Sequence, residues 1–170
     1  MKVLYNNSEV KNGIFLTTFE TRIEPKVYFK ANTNKLYMLV MHDPDAVVGN
    51  YFHWLVVNVQ GDKINNGDKI FDYKGPAPPK GSGIHRYIFL LYEQPENINV
   101  HFTNRMMTMD DFYEKIRVNL KPITSVYFTS KNHDGGKNCL DLPFLKVEKK
   151  TKRTKTKEKR KKNSTRRRKI

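Results

Sequence analysis

Apolar side chains recur along this chain in short runs that are rich in β-branched and aromatic residues. Each run is about four to eight residues long, which is typical of β-strands. The pattern predicts strands in LYMLVMH from Leu36, WLVVNVQ from Trp54, RYIFLLYE from Arg86, INVHF from Ile98 and SVYFT from Ser125.

Clusters of Gly, Pro and Asn separate these runs, and such residues favour chain reversals. They occur in NTNK from Asn32, GDKINNGD from Gly61, KGPAPPKGSG from Lys74 and EQPEN from Glu93. Short strands with regular turns predict a mainly β fold, an antiparallel β-sandwich.

One helix is predicted from Met109 to Leu120. Thr108 can serve as its N-cap, and the acidic side chains that follow suit the positive end of a helix. Phe112, Ile116 and Leu120 share a face, which we expect to pack on the sheet. Pro122 closes the segment.

The bulk composition favours one intracellular domain. The chain has 170 residues and a single cysteine, Cys139, which excludes an intrachain disulfide and fits a reducing compartment. Its first residues lack the apolar run of a signal peptide. We therefore predict a cytoplasmic location, with a nuclear one as the alternative because KEKRKKN resembles an import signal.

The formal net charge of +15 is concentrated at one end of the chain. Residues 146–170 contain 15 Lys or Arg against Glu148 and Glu158, so the preceding body is nearly neutral. A segment with this charge density buries too little apolar surface to order itself. The sequence thus predicts a folded domain at 1–145 and a disordered basic tail at 146–170.

Polar side chains gather where the predicted strands begin and end. Asp43 and Asp45 follow one strand, His53 precedes the next, and His85 with Tyr87 opens a third. Strand ends are where rigid scaffolds present ligand-contacting groups, and a loop rich in glycine offers backbone amides to anions. The pattern predicts a small polar pocket.

Two stretches, HDPDAVVGNYFHWLVVNV and YKGPAPPKGSGIHRYIFLLYEQ, resemble the signature segments of the phosphatidylethanolamine-binding protein family. Weaker similarity extends from Thr17 to Thr129. The resemblance implies an antiparallel β-sandwich of that type, with one or two short C-terminal helices and a small cavity for phosphate-like anions.

The resemblance also implies roles for particular residues. Carboxylates would lie at the pocket edge and orient the imidazoles, which would contact the ligand, while a loop would frame the entrance. The implied ligand-binding residues are Asp43, Asp45, His53, Ala77, Pro79, Gly83, His85 and Tyr87. Val47 stands where the family commonly has proline, and the short VVGNYF linker resembles compact bacterial members more than animal ones.

The same residue types are also compatible with two alternatives, a metal site and a hydrolase active site. Asp43, Asp45, His53 and His85 suit a divalent metal by residue type, but their spacing matches no dedicated zinc motif. A hydrolase using these groups is the least favoured reading, because Ser82 lacks the context of a nucleophile elbow and is interpreted as a turn residue. We predict no enzyme activity, no metal and no cofactor.

The sequence therefore predicts a non-catalytic module that binds a phosphorylated small molecule or a phospholipid headgroup and regulates a protein partner. The alternative is that the core is a scaffold and the tail, Lys146–Ile170, binds nucleic acid or an anionic membrane surface without sequence specificity. No transmembrane segment is predicted.

Overall fold

A six-stranded sheet and a three-stranded sheet form the body of the computed structural model, which describes residues 1–47, 49–117 and 120–132. Its strands are β1 Lys2–Tyr5, β2 Ser8–Glu9, β3 Ile14–Phe15, β4 Lys26–Tyr28, β5 Leu36–Asp43, β6 Tyr51–Gln60, β7 Asp68–Phe71, β8 Ile84–Gln94 and β9 Thr124–Lys131. A 3-10 helix spans Ile64–Asn66, and helix α1 spans Met109–Ile116. The predicted tail, the boundary at residue 145 and Cys139 lie outside the described residues.

The six-stranded sheet has the order β3-β9-β8-β5-β6-β7, and the smaller sheet has the order β2-β1-β4. Neighbouring strands are antiparallel except for β3 and β9, which run parallel. The prediction of a mainly β fold is confirmed. The predicted antiparallel arrangement needs correction for that one edge pair, because β3 reaches β9 from far away in the sequence and was not predicted.

Two hydrophobic clusters cover the two faces of the six-stranded sheet. On one, here called the small-sheet face, Val3 of β1 packs in the cluster that contains Leu39. On the other, here called the helix face, Phe112 of α1 packs in the cluster that contains Val40. Because alternate residues of a strand point to opposite faces, β5 is buried on both sides and reads as a continuous apolar run.

Helix α1 begins where the sequence predicts. The Thr108 hydroxyl accepts from the Asp111 N–H, and the Asp111 carboxylate accepts from the Thr108 N–H, which is a capping box. The helix ends at Ile116, earlier than predicted, because Arg117 adopts the left-handed conformation with φ 55°. Among the described residues, no helix is long and apolar enough to span a membrane.

The strand predicted at INVHF is wrong: residues 98–102 form no strand. The Asn58 side chain accepts from the Ile98 N–H at 2.8 Å and donates to the Ile98 carbonyl at 2.9 Å, so a side chain satisfies the groups that a strand neighbour would pair. Ile98 and Phe102 are still buried, on the helix face. Their hydrophobicity serves packing in a loop.

Candidate functional site

Four buried polar side chains meet at one end of the small-sheet face. Asp43 ends β5, His85 and Tyr87 lie near the start of the neighbouring β8, and His53 lies near the start of β6 on the other side of β5. Each is at most 5% exposed. We call these four residues the polar cluster. The register places His53 as an extra residue between the partners of two adjacent β5 residues, a bulge of the kind that re-aims a side chain.

Asp43 and His85 form the centre of the polar cluster. The His85 Nδ1 lies 2.7 Å from the Asp43 Oδ2, and both side chains are almost fully buried. The Asp43 Oδ1 accepts from the Asp45 N–H at 2.8 Å. The carboxylate is therefore fixed by the backbone and in turn fixes the His85 ring, as the sequence predicted for a carboxylate behind an imidazole.

The other nitrogen of His85 contacts Ser82, a residue whose sequence context indicates only a turn. The Ser82 Oγ lies 2.8 Å from the His85 Nε2 and also 2.7 Å from the Pro79 carbonyl oxygen. Ser82 does lie in a turn, as interpreted, but its hydroxyl also covers the ring nitrogen that was expected to meet a ligand. A ligand can bond this nitrogen only if the hydroxyl moves.

His53 is oriented by the main chain and not by a carboxylate. Its Nδ1 lies 2.6 Å from the Lys74 carbonyl oxygen, which can only accept, so Nδ1 carries the proton. Burial lowers the pKa of His53 to about 4, with nearby Lys74 and Arg105 acting in the same direction. At neutral pH this ring is uncharged, and its Nε2 can accept a hydrogen bond.

Tyr87 supplies a hydroxyl with no hydrogen-bond partner among the described residues, although it is completely buried. Burial raises the pKa of this phenol, and the negative charge of Asp43 and a weak hydrogen-bonding interaction with its carboxylate raise it further, although that contact is too long to count as a formed hydrogen bond. Its ring stands edge-on to His53, with centroids 5.1 Å apart. The Tyr87 hydroxyl is thus a neutral donor within the polar cluster.

Asp45 does not face the polar cluster. Its carboxylate accepts from the Arg86 backbone N–H, Nε and Nη2 at 2.8–2.9 Å. The Arg86 guanidinium lowers the pKa of Asp45, although both side chains are partly exposed. The expectation that Asp45 orients an imidazole through its carboxylate is therefore wrong, because that carboxylate is occupied by Arg86 and only its N–H reaches Asp43.

The predicted entrance loop is exposed next to the polar cluster. Ala77, Pro79 and Gly83 are all exposed, and the Pro79 carbonyl accepts from the Ser82 hydroxyl, which contacts His85. Gly81 and Gly83 have φ of +79° and +88°, with open space where a Cβ would stand. Only glycine adopts these angles readily, so the loop shape depends on them.

Two cations flank His53 and were not predicted. Arg105 donates to the carbonyls of Phe52, His53 and Asp72, and no described carboxylate forms an ion pair with it. The Lys74 Nζ donates to the Tyr51 hydroxyl at 2.9 Å. Nothing in the sequence marks these contacts, since they join loops that are far apart along the chain. Their charges lower the pKa of His53, while the charge of Asp43 and the hydrogen bond to the Lys74 carbonyl act in the opposite direction.

Open clefts also occur away from the polar cluster. One of about 520 Å³ is lined by Asn97, His101 and Lys115, among others. It contains none of the residues predicted to bind ligand. Within the described ranges, no group of three or more His, Cys, Asp or Glu side chains is arranged to hold a metal ion.

Comparison with known proteins gives a family match over most of the chain. The family model described as "Phosphatidylethanolamine-binding protein" matches residues 6–128. Two curated relatives are each 35% identical to this chain, the "26 kDa secreted antigen" of Toxocara canis over 111 residues and the "Putative odorant-binding protein A5" of Drosophila melanogaster over 106 residues. The matches cover 62% and 58% of this chain but 42% and 50% of the relatives, so the chain spans about half their length.

Solved structures share the fold. The carboxypeptidase Y inhibitor, solved in complex with its cognate proteinase, has a TM-score of 0.66 and 23% identity, covering 78% of this chain and 82% of its own. The phosphatidylethanolamine-binding protein of Plasmodium vivax has a TM-score of 0.60 and 22% identity, covering 78% of this chain and 84% of its own. Likeness at these identities establishes the fold alone.

Proposed function

Because this chain belongs to the phosphatidylethanolamine-binding protein family, we propose that its polar cluster binds a phosphate-like anion or a phospholipid headgroup without changing it chemically. The observation that carries the proposal is the buried, unpaired hydroxyl of Tyr87 beside Asp43 and His53. A buried hydroxyl without a partner costs about 1–3 kcal/mol. A phosphate oxygen would accept its hydrogen bond and remove that cost.

The remaining groups suit a zwitterionic headgroup. The positive charges of Lys74 and Arg105 favour a phosphate, while the neutral His53 offers its Nε2 as an acceptor for an ammonium or hydroxyl group. Phosphoethanolamine contains both partners, a phosphate and an ammonium. It is therefore the first probe to use, with phosphotyrosine as the comparison that separates a headgroup from a phosphorylated peptide.

Access to the polar cluster requires movement of the 77–83 loop, which is exposed apart from Pro78. The four cluster residues are almost completely buried, and the Ser82 hydroxyl covers His85. Gly81 and Gly83 provide two positions at which the loop can change its backbone angles. We propose that the ligand displaces Ser82 from His85 and takes its place.

The pH dependence follows from His53. If the phosphate, and not the ammonium, contacts this ring, binding raises its pKa above the free value of about 4. Affinity then rises as pH falls below the bound-state pKa and levels off near pH 4, where the free protein is also protonated. The affinity therefore continues to rise down to about pH 4, whereas with an ordinary histidine it would level off near pH 6.5.

An NMR titration of the full chain with phosphoethanolamine tests the proposal. The imidazole signals of His53 and His85 should shift saturably, while those of the exposed His101 should not. The same experiment with phosphotyrosine shows which ligand class binds more tightly. If neither cluster histidine responds in a folded protein, the proposed site is refuted.

We also propose that the chain regulates a protein partner. The support for this is the proteinase bound to the carboxypeptidase Y inhibitor in its structure.

The basic tail is the second candidate interface, for nucleic acid or anionic membrane, and it lies outside the described residues. Truncation after residue 144 tests it: loss of nucleic-acid or vesicle binding with intact anion binding assigns that activity to the tail, and unchanged binding refutes it.

An intracellular location remains part of the proposal. The single cysteine supports it, whereas one relative carries "secreted antigen" in its name. Fractionation of the native source into cell and medium is the direct measurement. Recovery from the medium would contradict the proposal.

A further inference from the structure

Ser82, His85 and Asp43 form a continuous hydrogen-bonded series. The Ser82 Oγ lies 2.8 Å from the His85 Nε2, and the His85 Nδ1 lies 2.7 Å from the Asp43 Oδ2. The serine is exposed, whereas the histidine and the aspartate are 1% and 3% exposed. An accessible hydroxyl, a buried imidazole and a carboxylate joined through the two ring nitrogens are the components of an activated serine nucleophile.

The contacts around Asp43 and Ser82 also favour an activated serine. The Asp45 N–H holds the second oxygen of Asp43, so the carboxylate has a fixed orientation towards the ring. Ser82 sits between Gly81 and Gly83, both at positive φ with open space where a Cβ would stand. Neither flanking residue therefore carries a side chain that could cover the Ser82 hydroxyl, and Ser82 itself is exposed.

We propose that Ser82 is a nucleophile that accepts an acyl group from an activated carboxylic ester, with His85 as its base and Asp43 as a positioning residue. The Ser82 Oγ attacks the carbonyl carbon while its proton passes to the His85 Nε2. The bond from that carbon to the leaving oxygen breaks, and the leaving alcohol takes the proton. Water then cleaves the acyl-serine, releasing the acid and restoring the hydroxyl.

The hydrogen bond from Ser82 to the Pro79 carbonyl is compatible with this role. The carbonyl and the His85 Nε2 are both within bonding distance of the same Ser82 Oγ. Rotation of the hydroxyl hydrogen alone moves the bond from the carbonyl to the ring, with no movement of heavy atoms. With Nδ1–H donating to Asp43, Nε2 is then free to accept the proton.

The activity goes beyond the anion-binding function and needs no bound anion, so either can fail without the other. The test is labelling of the folded full chain with a fluorophosphonate, in which the serine oxygen displaces fluoride from phosphorus. Peptide mass spectrometry should locate the label at Ser82. Ser82→Ala should abolish the labelling. The control Ser125→Ala removes a different exposed serine, which lies on β9, and should leave the labelling rate unchanged.

The roles of the two buried residues are tested on the same reaction. His85→Gln should lower the labelling rate about a hundredfold or more, the usual range for loss of a general base. Asp43→Asn should lower the rate and change its pH profile, which a loss of stability alone would not do. Circular dichroism establishes whether each variant is folded. Because these two substitutions are buried, the location of the label in the unmodified protein is the decisive measurement.

Three results would overturn the proposal: no label on the folded protein, label spread over exposed serines in proportion to their accessibility, or an unchanged rate in Ser82→Ala. Stoichiometric release of p-nitrophenol from p-nitrophenyl acetate provides a second measurement. It should show a fast phase that Ser82→Ala lacks. Identical traces for the two proteins would also overturn it.

Discussion

The two faces of the six-stranded sheet treat buried polar groups differently. On the helix face, the Tyr92 hydroxyl bonds the Tyr113 hydroxyl at 2.9 Å, and the His42 ring bonds the Asn50 side chain at 2.9 Å. On the small-sheet face, three buried side-chain atoms have no hydrogen-bond partner among the described residues. They are the Trp54 Nε1, the Tyr87 hydroxyl and the Ser130 Oγ.

This difference is informative because most buried polar groups in folded proteins are paired. The small-sheet face is able to pair such groups, since the Tyr5 and Tyr73 hydroxyls lie 2.8 Å apart there. One of the unpaired atoms, the Tyr87 hydroxyl, belongs to the polar cluster. A second, the Ser130 Oγ, lies on the residue of β9 that pairs with His85 of β8. The helix face pairs its buried polar side chains within the fold, and we propose that the unpaired groups at the end of the small-sheet face serve a ligand.

The strongest test of the helix face is removal of Asn58. Its side chain bonds both backbone groups of Ile98 and the Gln94 amide, and its φ of +57° lies in a region that asparagine tolerates better than alanine. Asn58→Ala should lower the free energy of unfolding by about 3 kcal/mol or more. Urea denaturation measures it.

The matched control for Asn58 is Asn99→Ala, which removes an exposed amide and should change stability by less than about 0.5 kcal/mol. A loss at Asn58 no larger than the one at Asn99 would mean that the helix face does not depend on its paired network.

Acid should destabilise the small-sheet face through His53. Its folded pKa of about 4 lies below the usual 6.5, so the unfolded chain takes up the proton first. This contribution is fully present above pH 6.5, falls as the pH drops, and is lost by about pH 4. The loss is about 3 kcal/mol for one residue.

The measurement is urea denaturation at pH 7 and pH 4.5, comparing the unmodified chain with His53→Gln. The variant should show a shallower loss between the two pH values. His101→Gln, an exposed control, should match the unmodified chain. Equal slopes for all three proteins would show that His53 is not buried in its neutral form.

The smallest expected effect separates the two faces most sharply. Tyr92→Phe removes a hydroxyl that bonds Tyr113 and should cost about 1 kcal/mol. Tyr87→Phe removes an unpaired hydroxyl and should leave stability unchanged or raise it by up to about 1 kcal/mol. Thermal or urea unfolding without ligand measures both. Equal losses in the two variants would remove the distinction between the faces.

Strands β5 and β6 could be predicted from the sequence because they are buried on both faces and form continuous apolar runs, and β8 and β9 because they are rich in β-branched and aromatic residues. The five short strands β1–β4 and β7 were missed, since each has only two to four residues and is defined by its partner. INVHF has the composition of a strand, but its backbone bonds a side chain of β6. The apolar composition of this segment correctly indicates that it is buried, but it does not indicate which groups form hydrogen bonds with its backbone.

The candidate site was predicted through its motifs, which identify residues near the ends of neighbouring strands. Asp43, His53, His85 and Tyr87 do come together. Their binding role stays a prediction, and the partners of each group required the tertiary structure. The Lys74 carbonyl, Arg105 and the Ser82 hydroxyl reach the polar cluster from loops. Of these three, only Ser82 could have been recognised from the sequence, because it lies three residues before His85.

The central claim is that the hydroxyl left unpaired by the fold is a partner for the ligand, and Tyr87→Phe tests it most directly. Phosphoethanolamine affinity should be measured by calorimetry on the unmodified full chain and on this variant, with stability recorded alongside. We predict about a tenfold or greater loss of affinity, the usual effect of removing a hydrogen bond to a charged group, with no loss of stability. Equal affinity in the two proteins would contradict the account.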